Sequence, residues 1–333
     1  MPVKLVEVLR SGFAESSHRG DAAVVDSEGR IIYELGNSDR LTFFRSASKP
    51  LQAVSYLEAG IAEKYNINLK EMALLISSHS GEKEHIDLLK SLLKRLEIDE
   101  DMLECGVHEP INKEAYKELL ATGQKPSRLH CNCSGKHLGF MAAAKALGYP
   151  IEGYHKAEHI VQKNSEEILL KFCNIEASSV VRSIDGCGVP VIAVPLKNMA
   201  LAYARLCDEN FSGGKYKKPQ NYIISSMTMY PDMVAGNGRL DTEIMKLLGD
   251  RVICKIGAEG VYCVGIIGKA IGIALKVEDG NSRAVGPAVL EMLLQMKVIS
   301  RDEIEQLKEY WNPPVLNNGG EKVGEIKAVF KMR

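Results

Sequence analysis

The sequence lacks the features that mark several broad classes of protein. Its formal net charge is only −1 over 333 residues, and nucleic acids and anionic membrane surfaces both favour a basic excess. No stretch approaches the ~20 apolar residues of a membrane span. Charged residues also interrupt the first eight positions too early for a signal peptide. We therefore expect a cytoplasmic protein with neither nucleic-acid nor membrane partners.

Aromatic residues are also scarce, at 6% with one tryptophan, but a hydrophobic share of 45% is ample for a full core. We expect one catalytic domain over residues 1–333. The eight cysteines should be thiols or metal ligands in a reducing compartment, not disulfides. Most are expected to be small buried hydrophobic residues. Only Cys131, Cys133 and Cys187 lie in glycine-containing turns that indicate a further role.

Strand patterns lie at both chain ends, and helical patterns lie between them. The predicted strands are residues 3–9, 22–25, 31–35, 252–256, 261–266, 270–277 and 322–330. Leucines at helical spacing dominate the middle, as in residues 83–96. We predict an α+β fold in which both chain ends build an antiparallel sheet. The α/β part is about 1–82 and 250–333, and the mostly helical part is about 83–249.

The spacing Ser-x-x-Lys, which can activate a serine, occurs four times. The pairs are Ser46/Lys49, Ser80/Lys83, Ser91/Lys94 and Ser212/Lys215. On a helix, residues three apart share a face. In a dry site the ammonium form is disfavoured, so an uncharged lysine can act as a base. Four occurrences mean that context, not spacing, must identify a site.

Context favours Ser46 and Lys49. They stand where a strand-rich region changes to a helix predicted over about 47–59, and Pro50 suits the first turn of that helix. The other three serines fit a solvated helix face, a polar loop or, for Ser80, a helix N-cap. Ser46 is therefore the candidate nucleophile. The alternative is that Ser46 is itself an N-cap and that its lysine is a surface residue.

Two later segments add to this pair. Hydroxyls cluster in the segment around Ser78, and Lys255 lies on a predicted strand two residues before Gly257, where backbone can approach a ligand. The order Ser-x-x-Lys, Ser-x-Ser, Lys-x-Gly resembles that of serine β-lactamases and penicillin-binding proteins. Those proteins also place terminal strands around a helical middle. The predicted fold class is therefore β-lactamase/penicillin-binding-protein-like.

The chain departs from true β-lactamases by lacking an export signal, by having Ile256 where threonine is usual, and by carrying a cysteine-lysine cluster. These features resemble the Rhizobium etli-type L-asparaginases along nearly the whole chain. The matching segments are Glu15-Ser-Ser-His-Arg-Gly20, Arg45-Ser-Ala-Ser-Lys-Pro50, Ser78-His-Ser-Gly81, Asn132-Cys-Ser-Gly-Lys-His137, Asp185-Gly-Cys-Gly188, Val234-Ala-Gly-Asn-Gly-Arg239 and Lys255-Ile-Gly-Ala-Glu-Gly260.

The resemblance implies an L-asparaginase that hydrolyses the side-chain amide of L-asparagine through a serine acyl-enzyme. It implies two Ser-Lys pairs, Ser46 with Lys49 and Ser78 with Lys255, and a homodimer.

The resemblance also implies a zinc ion held by Cys133, Lys136 and Cys187. Zinc takes thiolates readily and often keeps a water ligand. Lysine is a rare ligand because its amine must first lose a proton. On spacing alone Cys131 is the natural third ligand, and it stays a rival. We expect the metal to position the substrate or the site loops.

Three more residues are candidates for substrate binding. Arg45 can hold a carboxylate through paired hydrogen bonds, or it can be a surface residue. Asp185 can bind an ammonium group or orient the metal site, although its setting also fits ordinary turn chemistry. His137 is the third candidate.

Two other functions remain open from the sequence. A glutaminase or another small-amide amidohydrolase would use the same machinery, since one methylene changes binding only modestly. A zinc-dependent binding protein would use the cysteines for folding and the serines as helix caps.

Overall fold

A computed structural model describes residues 1–332. The chain forms two compact units. The first comprises Met1–Ala47, Ala193–Asp208 and Leu247–Arg333, and the second comprises Ser48–Ile192 and Glu209–Lys246.

The described strands and helices are as follows. The strands are β1 (Val3–Arg10), β2 (Phe13–Asp26), β3 (Ile31–Leu35), β4 (Leu41–Phe43), β5 (Val181–Ile184), β6 (Pro190–Pro195), β7 (Val252–Gly257), β8 (Val261–Ile266), β9 (Ile271–Val277), β10 (Pro314–Leu316) and β11 (Lys322–Ala328). The helices are α1 (Lys49–Glu58), α2 (Ile61–Lys64), α3 (Leu69–Leu75), α4 (Lys83–Leu96), α5 (Lys113–Ala121), α6 (Ser134–Leu147), α7 (Ile160–Cys173), α8 (Leu196–Leu206), α9 (Lys217–Met229), α10 (Pro231–Val234), α11 (Leu240–Leu248), α12 (Val285–Gln295), α13 (Arg301–Gln306) and α14 (Lys308–Trp311).

The first unit is built on one antiparallel sheet. Its strand order is β10-β11-β1-β2-β9-β8-β7, and β3 also pairs with β2. The first and last strands of the chain pair directly, with Val8 opposite Ile326. The predicted α+β fold with an antiparallel sheet from both chain ends is therefore confirmed.

Two helices of the first unit pack on this sheet. Helix α8 contacts β2, β8 and β9, and α12 contacts β1, β8, β9 and β11. Strands β7 and β8 are buried almost throughout, which explains why their residues, apart from Lys255, do not alternate between apolar and polar. Lys255 lies inside β7 and is fully buried.

The second unit is a helical assembly. Helix α1 packs against α6, α7 and α9, and α3 packs against α6 and α9. The apolar residues 73–75 lie in α3, and a capping box at Asn68 and Glu71 fixes the start of this helix. No helix within residues 1–332 has the length and hydrophobicity that a membrane crossing requires.

Most predicted elements are confirmed at close to their predicted bounds. A capping box of Ser300 and Glu303 opens α13. One prediction is wrong. Ser80 is not the N-cap of α4, because Glu82 holds that position. Ser80 is instead buried and donates a hydrogen bond to the Ala235 carbonyl at 2.7 Å.

Candidate active site

Ser46 lies in a short 3-10 helix, Arg45–Ser48, that leads directly into α1. The N-cap of α1 is Ser48, whose side chain makes no capping hydrogen bond. The alternative interpretation of Ser46 as an N-cap is therefore wrong. The residue before it, Arg45, has a φ of 50°, a left-handed conformation that is strained for a bulky side chain. Such strain clusters at functional sites.

Lys49 is buried in the first turn of α1 with a relative exposure of 1%. Its Nζ lies 2.9 Å from the Ser78 hydroxyl oxygen. It also donates to the carbonyl oxygens of Ser77 at 2.5 Å and Asn132 at 3.4 Å. A buried amine without such partners would be costly. These three acceptors hold the amine in place although they come from two distant chain segments.

Local packing brings those two segments together. Ser77 and Ser78 follow the end of α3, and Asn132 lies just before α6. At the contact between these helices, Gly135 of α6 lies so close to α3 that a Cβ there would stand 2.1 Å from the Leu74 carbonyl oxygen. Only glycine permits this approach.

His79 links the same two segments through hydrogen bonds of its imidazole ring. Its Nδ1 accepts a hydrogen bond from the Gly81 N–H at 3.1 Å, so its Nε2–H donates to the Ser134 hydroxyl at 2.8 Å. Ser134 in turn donates to the Leu129 carbonyl at 3.0 Å. Burial holds the pKa of His79 well below its usual value, so this histidine is neutral and its role is to link the two segments by hydrogen bonds. Sequence reasoning placed it in the hydroxyl cluster without giving it this role.

A second buried amine lies among thiols. Lys136, on the first turn of α6, places its Nζ 2.9 Å from Cys187 Sγ and 4.0 Å from an Asp185 carboxylate oxygen. The thiols of Cys133 and Cys187 are hydrogen-bonded to each other. The turn that carries Cys187 is closed by Gly188, which has a φ of 88° and donates its N–H to the Asp185 carbonyl at 2.8 Å.

The charges in this cluster are coupled. Hydrogen bonds from the Cys131 and Cys187 thiols, with the nearby lysines, hold the pKa of Cys133 well below its usual value. Although burial opposes it, attraction to the Cys187 and Cys133 sulfurs raises the pKa of Lys136. The hydrogen bond to Cys133, with burial, raises the pKa of Cys187. The Lys136 ammonium and the neighbouring sulfurs therefore stabilise each other's charged forms.

This donor set fits zinc by its chemistry. Two sulfurs and one amine converge in a buried place, and one sulfur already favours the thiolate form that zinc takes. Within residues 1–332, no group of three His, Cys, Asp or Glu side chains could hold a metal ion. A three-ligand site here would therefore need the Lys136 amine. The rival Cys131 lies between Cys133, whose pKa it lowers, and the Cys105 carbonyl, which is 3.3 Å from its sulfur.

The remaining predicted site residues are distributed over both units. Arg45, Ser46 and Lys255 belong to the first unit, and Lys49, Ser78, Cys133, Lys136, His137, Asp185 and Cys187 belong to the second. Lys255 donates to the Ile256 carbonyl at 3.3 Å. Burial lowers the pKa of His137 to about 3. Within the second unit, the structure brings together Lys49 with Ser78 and Lys136 with Cys133, Cys187 and Asp185.

Comparison with known proteins identifies the family. A family model described as L-asparaginase II matches residues 6–328. The chain therefore belongs to the L-asparaginase II family. This membership supports an amidohydrolase with a small-molecule substrate. No curated protein matches the chain.

Several solved structures resemble the chain at low identity. The native form of Mglu is 15% identical with a TM-score of 0.47, over 86% of this chain and 67% of that one. A β-lactamase from Mycobacterium bovis is 11% identical with a TM-score of 0.45, over 84% and 95%. A class C β-lactamase mutant is 14% identical with a TM-score of 0.39, over 80% and 89%. At these values the similarities do not inform the function.

The close approach at Gly135 yields a prediction. Replacing glycine by alanine inside a helix normally stabilises by ~1 kcal/mol, but a Cβ here would meet the Leu74 backbone. We expect Gly135→Ala to lower the free energy of unfolding by about 1–3 kcal/mol, measured by urea denaturation. Gly319→Ala is the control, because its Cβ would meet only a side chain, that of Asn317, with the oxygen at 3.3 Å. A Gly135→Ala variant as stable as the wild type would contradict the packing.

Proposed function

We propose that this chain is an L-asparaginase, which hydrolyses the side-chain amide of L-asparagine to aspartate and ammonia. The observation that carries the proposal is the buried contact between the Lys49 amine and the Ser78 hydroxyl, directly after the segment that holds Ser46. Such a couple can move a proton where water is scarce. Family membership supplies the substrate class.

Ser46 is the proposed nucleophile. Its Oγ forms a bond to the amide carbon while its proton passes to a lysine, and the C–N bond then breaks as the nitrogen takes up a proton and leaves as ammonia. Water attacks the resulting ester, which releases aspartate and returns the proton to Ser46. Backbone N–H groups, including that of Ser46, are the proposed donors to the oxyanion.

Lys49 is suited to proton transfer by its neighbours. In its uncharged form the amine has two N–H groups for the Ser77 and Asn132 carbonyl oxygens, and a lone pair that can accept the Ser78 O–H. In its charged form it donates to all three oxygens. Both forms are thus satisfied by the same surroundings. Lys255, acting through Ser78, is the alternative base.

The substrate offers one ammonium and one carboxylate for recognition. Arg45 is the proposed partner of the carboxylate through paired hydrogen bonds. Asp185 is the proposed partner of the ammonium, and His137 is the third substrate-binding residue. The proposed enzyme is a cytoplasmic homodimer, as the resemblance and the composition predicted.

Zinc is the proposed cofactor, held by Cys133, Lys136 and Cys187. When bound, it would supply a fixed positive charge that positions the substrate or the adjoining turns. Lys136 must be uncharged to bind the ion, so it would exchange its proton for the metal. The proton transfers proposed for Ser46 and Lys49 are independent of this site.

Glutaminase is the second candidate. Its substrate is longer by one methylene, which an apolar pocket discriminates by only ~1–3 kcal/mol. Initial rates of ammonia release from asparagine and glutamine, compared as kcat/KM, separate the two activities.

The nucleophile is tested by Ser46→Ala. We expect kcat to fall by roughly 10⁴–10⁶-fold while the fold is unchanged, since a covalent nucleophile has no substitute. Ser91→Ala is the matched control, because Ser91 and Lys94 have the same spacing on the exposed face of α4. An acylating amide analogue should label Ser46, located by peptide mass spectrometry. Label on Ser78, or substantial activity without Ser46, would contradict the assignment.

The base is tested by Lys49→Met, which keeps the unbranched apolar part of the side chain but removes the amine. We expect kcat to fall by roughly 10²–10⁴-fold, with Lys94→Met as the exposed control. Circular dichroism and thermal unfolding should establish that both variants are folded. A Lys49→Met variant with wild-type kcat would show that this amine is not the base.

The zinc site is tested by metal analysis of the purified protein. We expect about one zinc ion per chain, lost on Cys133→Ser, Cys187→Ser or Lys136→Met. Cys207→Ser is the control, since burial raises the pKa of that thiol to about 12. Zinc retained without Lys136 but lost without Cys131 would assign the third ligand to Cys131. Activity that survives zinc removal supports a positioning role, and complete dependence would favour a zinc-bound hydroxide.

A further inference from the structure

A buried tyrosine stands beside His137 and has no role in the chemistry above. Tyr154 Oη lies 2.6 Å from His137 Nδ1, and the two rings meet edge to face with centroids 5.5 Å apart. The same hydroxyl oxygen accepts the Glu104 backbone N–H at 2.9 Å. Tyr154 is 1% exposed and His137 is completely buried.

These contacts determine which nitrogen of His137 carries the hydrogen. A phenol has one O–H to donate. Its oxygen accepts from the Glu104 N–H, and the acceptor within reach of its own hydrogen is His137 Nδ1. If Nδ1 carried a hydrogen instead, the buried Tyr154 O–H would have no acceptor, which is costly. An Nδ1 that accepts leaves the ring hydrogen on Nε2. The relay therefore runs from the Glu104 N–H, through the Tyr154 O–H, to a histidine that presents Nε2–H.

That Nε2 has no hydrogen-bond partner among residues 1–332. A buried unpaired donor is destabilising and calls for an explanation. His137 adjoins Lys136 on the first turn of α6, and its own backbone N–H donates to the Cys133 carbonyl. The unpaired donor thus belongs to the same short segment as the proposed site. An acceptor oxygen on a ligand would satisfy it, whereas an ammonium group would not.

We propose that His137 Nε2–H donates to an oxygen of the amide substrate, and that Tyr154 is the positioning residue that fixes the donating tautomer. This inference rests on the proposed amidohydrolase function and deepens it. The oxygen is either the carboxylate or the amide carbonyl of the substrate, since both accept hydrogen bonds.

Tyr154→Phe tests the relay, because it keeps the ring contact and removes only the hydroxyl. His137 can then place its hydrogen on either nitrogen. We expect kcat/KM for the amide to fall roughly tenfold. Nitrogen-15 NMR of the imidazole should show Nε2–H alone in the wild type and both tautomers in the variant. Tyr149→Phe, at a half-exposed tyrosine, should change neither measurement.

Two substitutions of His137 separate donation from packing. The glutamine amide nitrogen reaches the position of Nε2, whereas the asparagine amide nitrogen reaches that of Nδ1. We expect His137→Gln to keep kcat/KM within about tenfold of the wild type and His137→Asn to lose roughly 10²-fold or more. A larger change in KM would indicate the carboxylate as acceptor, and a larger change in kcat would indicate the amide carbonyl. A packing role alone predicts equal losses.

The outcomes distinguish this inference from the proposed function. A folded wild type without activity on any small amide would end the proposed function, while the NMR measurement would still report the tautomer. An active wild type with hydrogen on Nδ1 would overturn the inference. Full kcat/KM in both Tyr154→Phe and His137→Asn would overturn it equally.

Discussion

The second unit depends on a buried amine that must be surrounded by oxygen atoms. Lys49 enters from α1 and finds the Ser77 carbonyl, the Ser78 hydroxyl and the Asn132 carbonyl. A buried amine is tolerated only where its hydrogen bonds are made. The segment after α3 and the segment before α6 therefore have to keep fixed positions relative to α1. Two other features keep these positions fixed. They are the close contact at Gly135 between α3 and α6 and the hydrogen bonds of His79.

A second buried amine, that of Lys136, lies in the first turn of α6 and has different neighbours. Lys49 is surrounded by oxygen, which accepts hydrogen bonds from the amine in either charge state. Lys136 lies beside sulfur, and attraction to the Cys187 and Cys133 sulfurs favours its ammonium form. The proton transfer proposed for Lys49 and the exchange of a proton for zinc proposed for Lys136 are both based on this difference in surroundings. The same side chain is thus specialised by its environment.

Much of the fold was predictable because its elements are long enough to show a period. The leucine spacing of residues 83–96 matches α4 residue for residue, and β3 and β8 match their predicted bounds. The short strands β4, β5 and β10 were not predicted, since three or four residues show too little alternation. Strand β6 was not predicted because proline stands at both of its ends. Ser80 was mistaken for a cap because serine before a helix has that local preference, whereas tertiary packing buries it against the Ala235 carbonyl.

By itself, the sequence determined the antiparallel sheet from both ends, the helical middle, the candidate residues and, through the matching motifs, the family. Those properties follow from local periodicity and from residue types at short spacing. Tertiary structure alone decided that the Lys49 amine meets the Ser78 hydroxyl, that Lys136 meets Cys187, and that Tyr154 orients His137. These partners lie 17 to 51 positions apart in the chain. Hydrogen bonds between such distant residues exist only after the core has folded, so no local pattern encodes them.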